Sequence, residues 1–62
     1  MKEHYRIQRL DAGKWRTLAL NDITICTDSE AKAFVKFCET QDIETEFRAQ
    51  IKTVEGWITL QN

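Results

Sequence analysis

"YRIQRLDAGKWRTL" (residues 5–18) and "FRAQIKTVEGWITL" (residues 47–60) decide the fold. Laid over each other at a constant offset of 42 with no gap, they share Arg, Gln, Trp, Thr and Leu and match Tyr5 to Phe47. In the first copy Tyr5, Ile7, Leu18 and Leu20 are apolar, and their neighbours Arg6, Gln8, Thr17 and Ala19 are polar or small. That alternation has the strand period of two. Gly13, within Asp11-Ala12-Gly13-Lys14, supplies the positive φ that hairpin turns demand. With Ala12 and Gly13 as the loop, Leu10 faces Trp15, Gln8 faces Thr17 and Ile7 faces Leu18. A three-residue loop would shift every partner and put Trp15 with Tyr5 and Ile7. The first register is preferred because it gathers Tyr5, Ile7, Leu18 and Leu20 on one face.

The second copy follows the same rule. Phe47, Ala49 and Ile51 alternate with Arg48, Gln50 and Lys52, Glu55-Gly56 forms the turn, and Ile58 and Leu60 rejoin the apolar face. Trp57 and Thr59 fall on the other face with Arg48, Gln50, Lys52 and Val54. A four-residue loop would keep this division.

A helix lies between the copies. Thr27-Asp28-Ser29-Glu30 is a capping box with Thr27 as N-cap, and Asp28 and Glu30 suit the positive helix start. Ala31, Phe34, Val35 and Cys38 recur at helical spacing as the buried stripe, with Phe37 on its flank. Lys32, Lys36 and Glu39 face water, and the helix should stop near Thr40 to Gln41. The acidic stretch "ETQDIETE" (residues 39–46) reads as a solvated connection into the third strand. Ile23 and Ile25 of "NDITIC" (residues 21–26) continue a strand into the core after a bulge or turn at Asn21-Asp22.

The expected architecture is α+β, in the order β-β-α-β-β, with one helix on one face of a four-stranded, mainly antiparallel sheet made of two similar hairpins. The covered face collects Tyr5, Ile7, Leu18, Leu20, Phe47, Ala49, Ile51, Ile58 and Leu60. The pattern does not fix the strand order, although the doubling suggests two hairpins side by side about a pseudo-two-fold. The 62 residues make one domain, 1–62, burying only about 60% of the unfolded surface. So thin a core leaves little room for a deep, water-excluding cleft.

Composition narrows the chemistry. Two cysteines, Cys26 and Cys38, are fewer than a disulfide-built mini-protein carries, and both are expected to be reduced. A zinc site takes about four ligands, which two cysteines and the single His4 cannot supply. No metal or cofactor is expected. A nucleophile with a base at useful spacing and a phosphate-cradling glycine loop are both lacking, so the expectation is not an enzyme. The opening "MKEHYRIQRL" is interrupted by Glu3, His4, Arg6 and Arg9 and has no apolar signal core. No apolar run approaches the ~18 residues of a membrane span, and the expected compartment is the cytoplasm. Net charge is −1 but uneven: residues 1–17 hold five bases and two acids (+3), and residues 18–62 hold four bases and eight acids (−4).

Function is sought on the face opposite the helix. Arg6/Arg48, Gln8/Gln50, Trp15/Trp57 and Thr17/Thr59 all point there, Leu10 and Val54 enlarge the apolar area, and Arg6, Arg48 and Lys52 make it locally positive. Trp and Arg are the side chains most enriched at binding hot spots, and an uncovered apolar patch marks an interaction site. The expected partner is another protein, most simply a second copy, bound through Trp15, Trp57, Arg6, Arg48, Gln8, Gln50, Leu10 and Lys52. The alternative is single-stranded nucleic acid, with bases stacked on the Trp rings. Against both stands a purely structural role, in which Arg stacks on Trp and the pairs only stabilise hairpins.

Overall fold

In the computed structural model, residues 4–18 and 25–61 are described. The elements are β1 (Tyr5–Asp11), β2 (Lys14–Thr17), α1 (Asp28–Gln41), β3 (Phe47–Thr53) and β4 (Gly56–Thr59). The chain is therefore an α+β fold of β-β-α-β-β order. The four strands form one antiparallel sheet in the order β2-β1-β3-β4. The opening strands of the two hairpins meet at the centre, and their return strands are the edges.

The central seam sets Tyr5 opposite Ile51, Arg6 opposite Gln50, Ile7 opposite Ala49, Gln8 opposite Arg48 and Arg9 opposite Phe47. Backbone bonds of 2.9 Å extend it at both ends, from Leu10 N to the Glu46 carbonyl and from Lys52 N to the His4 carbonyl. Each contact recurs with its partners exchanged at the offset of 42. The hairpins obey the same relation, with Gln8 opposite Thr17 and Gln50 opposite Thr59, and Leu10 opposite Trp15 and Lys52 opposite Trp57.

The turns differ. In the first, Ala12 (φ 52°) and Gly13 (φ 80°) both adopt left-handed backbone, and this two-residue loop gives the register expected from sequence. In the second, Val54 and Glu55 form the turn, and Gly56, at φ 117°, already pairs with Thr53. The expected turn at Glu55-Gly56 is thus one residue too late. Thr53 secures the reversal, its Oγ1 donating to the Gly56 carbonyl and accepting from Glu55 N. Glycine supplies the left-handed step after the turn rather than within it, and the division of faces survives.

Helix α1 packs over β3 and β1. Its cap forms as expected: Thr27 Oγ1 accepts from Glu30 N at 3.1 Å. The Glu30 carboxylate reaches back to the Thr27 hydroxyl and, one residue beyond the usual partner, to Cys26 N. Tyr5 donates its hydroxyl to Asp28 Oδ1 at 2.6 Å, fixing the start of β1 to the helix start. The helix ends at Gln41, and Asp42 then accepts from Glu44 N and the Thr45 hydroxyl to turn the acidic connection.

Ile7, Ala31, Val35 and Ala49 form the buried core, with Tyr5, Leu18, Ile25, Phe34, Phe47 and Leu60 packed around it. Two expectations need correction. Ile58 is 47% exposed and Ile51 only half-buried, because the helix lies over the central strands and stops short of β4. On the helix, Cys38 is half-buried rather than central to the stripe, whereas Phe37 is open to solvent at 59%. Leu20 and Ile23, with Ala19 and Asn21-Asp22, lie outside the described residues. Among the described residues no helix is long and apolar enough to cross a membrane.

Ala12 holds a backbone region that costs a residue with a Cβ about 1–2 kcal/mol, which Asn tolerates better. Ala12→Asn should raise unfolding stability by about 0.5–1 kcal/mol in a denaturant titration, with the m-value unchanged. The cysteines are both free; Cys26 is exposed. Burial, then the neighbouring Glu39 carboxylate, push the Cys38 thiol above its ordinary range. An acid whose pKa is raised by folding stabilises below its unfolded pKa and loses that contribution as pH rises through the folded one. Stability should therefore fall above about pH 8.5, and Cys38→Ala should reduce that alkaline slope.

Candidate functional site

The face away from the helix carries two side-chain chains of contact rather than an open apolar patch. Arg6 starts on β1, crosses the seam and donates Nε–H to Gln50 Oε1 at 2.7 Å. Its guanidinium comes to rest over the Trp57 ring, with Cζ 4.2 Å from the centroid. Arg48 makes the mirror journey from β3, donating Nε–H to Gln8 Oε1 at 2.8 Å and covering Trp15 at 4.1 Å. Each hairpin thus lends its Arg to the other hairpin's Trp.

The glutamines carry the arrangement inward. A guanidinium can only donate, so each amide turns its oxygen to the Arg and its NH₂ group away. That NH₂ group finds the threonine on the return strand: Gln8 Nε2 donates to Thr17 Oγ1 at 3.1 Å, and Gln50 Nε2 to Thr59 Oγ1 at 3.0 Å. Both glutamines are only 5% exposed, although α1 lies on the other side of the sheet. The Arg and Trp side chains are their cover. Among the described residues no buried side-chain nitrogen or oxygen lacks a hydrogen bond.

All eight residues expected at a partner-binding face are therefore on one surface, but not in the state expected. Trp15 and Trp57 are half-buried beneath guanidinium groups, Gln8 and Gln50 are interior, and Leu10 is half-buried opposite Trp15. Val54 projects fully exposed from the turn and does not extend a flat patch. The structural pairing of Arg with Trp, weighed as the alternative in the sequence, is present in both copies.

The two halves are unlike in charge. Lys52 Nζ also lies over Trp57, 5.6 Å from its centroid, so two cations sit on one indole. The position equivalent to Lys52 is Leu10, and the position equivalent to His4 is Glu46. Trp57 therefore has two cations over its ring, whereas Trp15 has one and shares its groove with Glu39 and Glu46. Among the described residues no carboxylate comes within 4.0 Å of Arg6, Arg48 or Lys52; the ion pairs present join Asp11 to Arg9 and Arg16. Burial, and secondarily the like charge of Arg6, lower the proton affinity of Arg48. Among the described residues no group of three or more His, Cys, Asp or Glu side chains is placed to hold a metal ion. No family model matches the chain, and no curated protein or solved structure matches it either.

Removing a glutamine amide leaves an Arg Nε–H and a Thr hydroxyl without partners. Gln8→Ala and Gln50→Ala should each cost about 1–3 kcal/mol. Double-mutant cycles of Arg6 with Trp57 and of Arg48 with Trp15 should return similar couplings, about 0.5–1 kcal/mol each, measured by chemical denaturation.

Proposed function

We propose that this chain is a small, non-enzymatic binding module that recognises an acidic protein segment, centred on Arg6, Lys52 and Trp57. The observation that carries it is the stacking of two cations on one indole with no carboxylate within 4.0 Å among the described residues. An Arg whose Nε–H is held by Gln50 keeps its two terminal nitrogens for an incoming group. Those nitrogens form an end-on fork that matches a carboxylate. The stack on Trp57 and the bond to Gln50 fix the guanidinium beforehand, so less side-chain freedom is lost on binding. Arg48, Trp15 and Leu10 extend the same surface.

Charge also selects among partners. Two copies meeting through this face would set guanidinium against guanidinium, which favours a partner of opposite charge over self-stacking. Nucleic-acid bases need open aromatic faces, whereas here an Arg already occupies one face of each indole.

A fluorescein-labelled peptide of alternating Glu and Gly, its Gln/Gly counterpart and an oligothymidine strand test this by fluorescence polarisation. The Glu peptide should bind, and binding should weaken as salt screens the charges. Arg6→Gln with Lys52→Gln should weaken it about tenfold or more, and Arg48→Gln less. Equal binding of the Gln peptide, or tighter binding of oligothymidine, would overturn the assignment.

A further inference from the structure

The two return strands are equivalent in the doubled pattern, yet their edges are guarded differently. β2 reads Lys-Trp-Arg-Thr and β4 reads Gly-Trp-Ile-Thr, so Lys14 is replaced by Gly56 and Arg16 by Ile58. Among the described residues both strands end the sheet. Edge strands carrying Lys or Arg resist pairing with another chain, and an uncharged edge with an exposed apolar residue invites it. β2 carries two exposed cations, whereas β4 carries no charge and exposes Ile58 at 47%.

We infer that β4 is a homotypic pairing edge, through which two copies join antiparallel about Ile58 into one continuous eight-stranded sheet. The register supplies the geometry. Leu60 N bonds to the Ala49 carbonyl, and Ile58 and Gly56 follow at alternate positions opposite Ile51 and Thr53. These residues spend their backbone groups on β3. Trp57 and Thr59 consequently turn their N–H and C=O groups to the outer edge. An antiparallel copy that sets Trp57 opposite Thr59 of the second copy satisfies all of these groups with four hydrogen bonds. It also sets Ile58 opposite Ile58 of the second copy in a non-hydrogen-bonded pair, where side chains approach closest. The apolar area that the helix fails to cover is then buried by its own image.

The assembly closes at two. The symmetry is isologous, and the outer edges of the dimer are both β2. Pairing β2 with β2 in the same way would set Arg16 against Arg16, which like charge opposes. A four-residue edge makes a small interface, so the dimer is weak and exchanges rapidly. The inference does not rest on the acidic-partner assignment, because the edge carries no charge and its occupant is the chain itself.

Sedimentation velocity from about 10 μM to 1 mM tests it. Wild-type protein should shift from monomer to dimer and no further, with little dependence on salt. Ile58→Lys should weaken dimerisation about tenfold or more while leaving the circular dichroism spectrum unchanged. Arg6→Gln and Lys52→Gln should leave it intact, which separates this edge from the Trp face. A second probe does not depend on the Lys variant folding. In a background with Cys26→Ser and Cys38→Ser, Ile58→Cys should form an intermolecular disulfide under mild oxidation much faster than Arg16→Cys. A wild type monomeric throughout, a dimer indifferent to Ile58→Lys, or equal cross-linking of the two cysteine variants would each overturn the proposal.

Discussion

The seam between β1 and β3 governs the molecule. Its helix-free side buries two neutral amides, Gln8 and Gln50, and a buried amide without partners costs several kcal/mol. The partners come from the opposite strand: Arg48 for Gln8 and Arg6 for Gln50. Neither hairpin satisfies the oxygen of its own glutamine, because the required guanidinium belongs to the other. The Trp rings then support the guanidinium groups, and the threonines on the return strands receive the remaining amide hydrogens. Polar satisfaction on one side of the sheet and hydrophobic burial under α1 on the other thus act on the same two strands. For a 62-residue chain with a thin core, this gives the uncovered side a packing role that a helix performs elsewhere.

Much of this was legible in the sequence because its causes are local. Period-two alternation, Gly13 and the Thr27–Glu30 box each act over a few residues, and the element order, first hairpin register and helix start follow from them. The second turn lies one residue earlier than the pattern places it, because Gly56 holds the left-handed step after the turn rather than a position within it. The strand order was not legible, since two hairpins with the same pattern can meet through either strand. Parity alone puts Ile58 in the core, but parity gives the side of a sheet and not how far a helix reaches across it. The eight residues of the candidate site were found by the same parity. The burial of the glutamines and of the Trp rings is not legible there, because the crossing of Arg6 and Arg48 depends on the central pairing of β1 with β3.

The departures from the doubled pattern carry as much information as the matches. Arg, Gln, Trp and Thr are kept at positions where a clasp needs them. Leu10 against Lys52 and His4 against Glu46 make one half of the face more positive than the other. Lys14 against Gly56 and Arg16 against Ile58 guard one edge and open the other. Shared residues build the sheet, and substituted ones give its two ends separate identities.

The axis position of the seam, where Ile7 stands opposite Ala49, bears on how the chain recognises itself during folding. The Arg and Gln residues alone would accept like with like: a first hairpin paired with another first hairpin would again set Arg6 across from Gln8 and bring its Trp15 within reach. Only the axis residue meets its own kind in such a mispairing. Two isoleucines there would overfill the space beneath Ala31 and Val35, and two alanines would leave it hollow. One large and one small side chain fill it. The side chains that clasp the halves together are blind to which half is which, and the choice falls to the covered side of the seam, where the axis pair differs by three carbon atoms and Arg9 stands where the second half has Ile51.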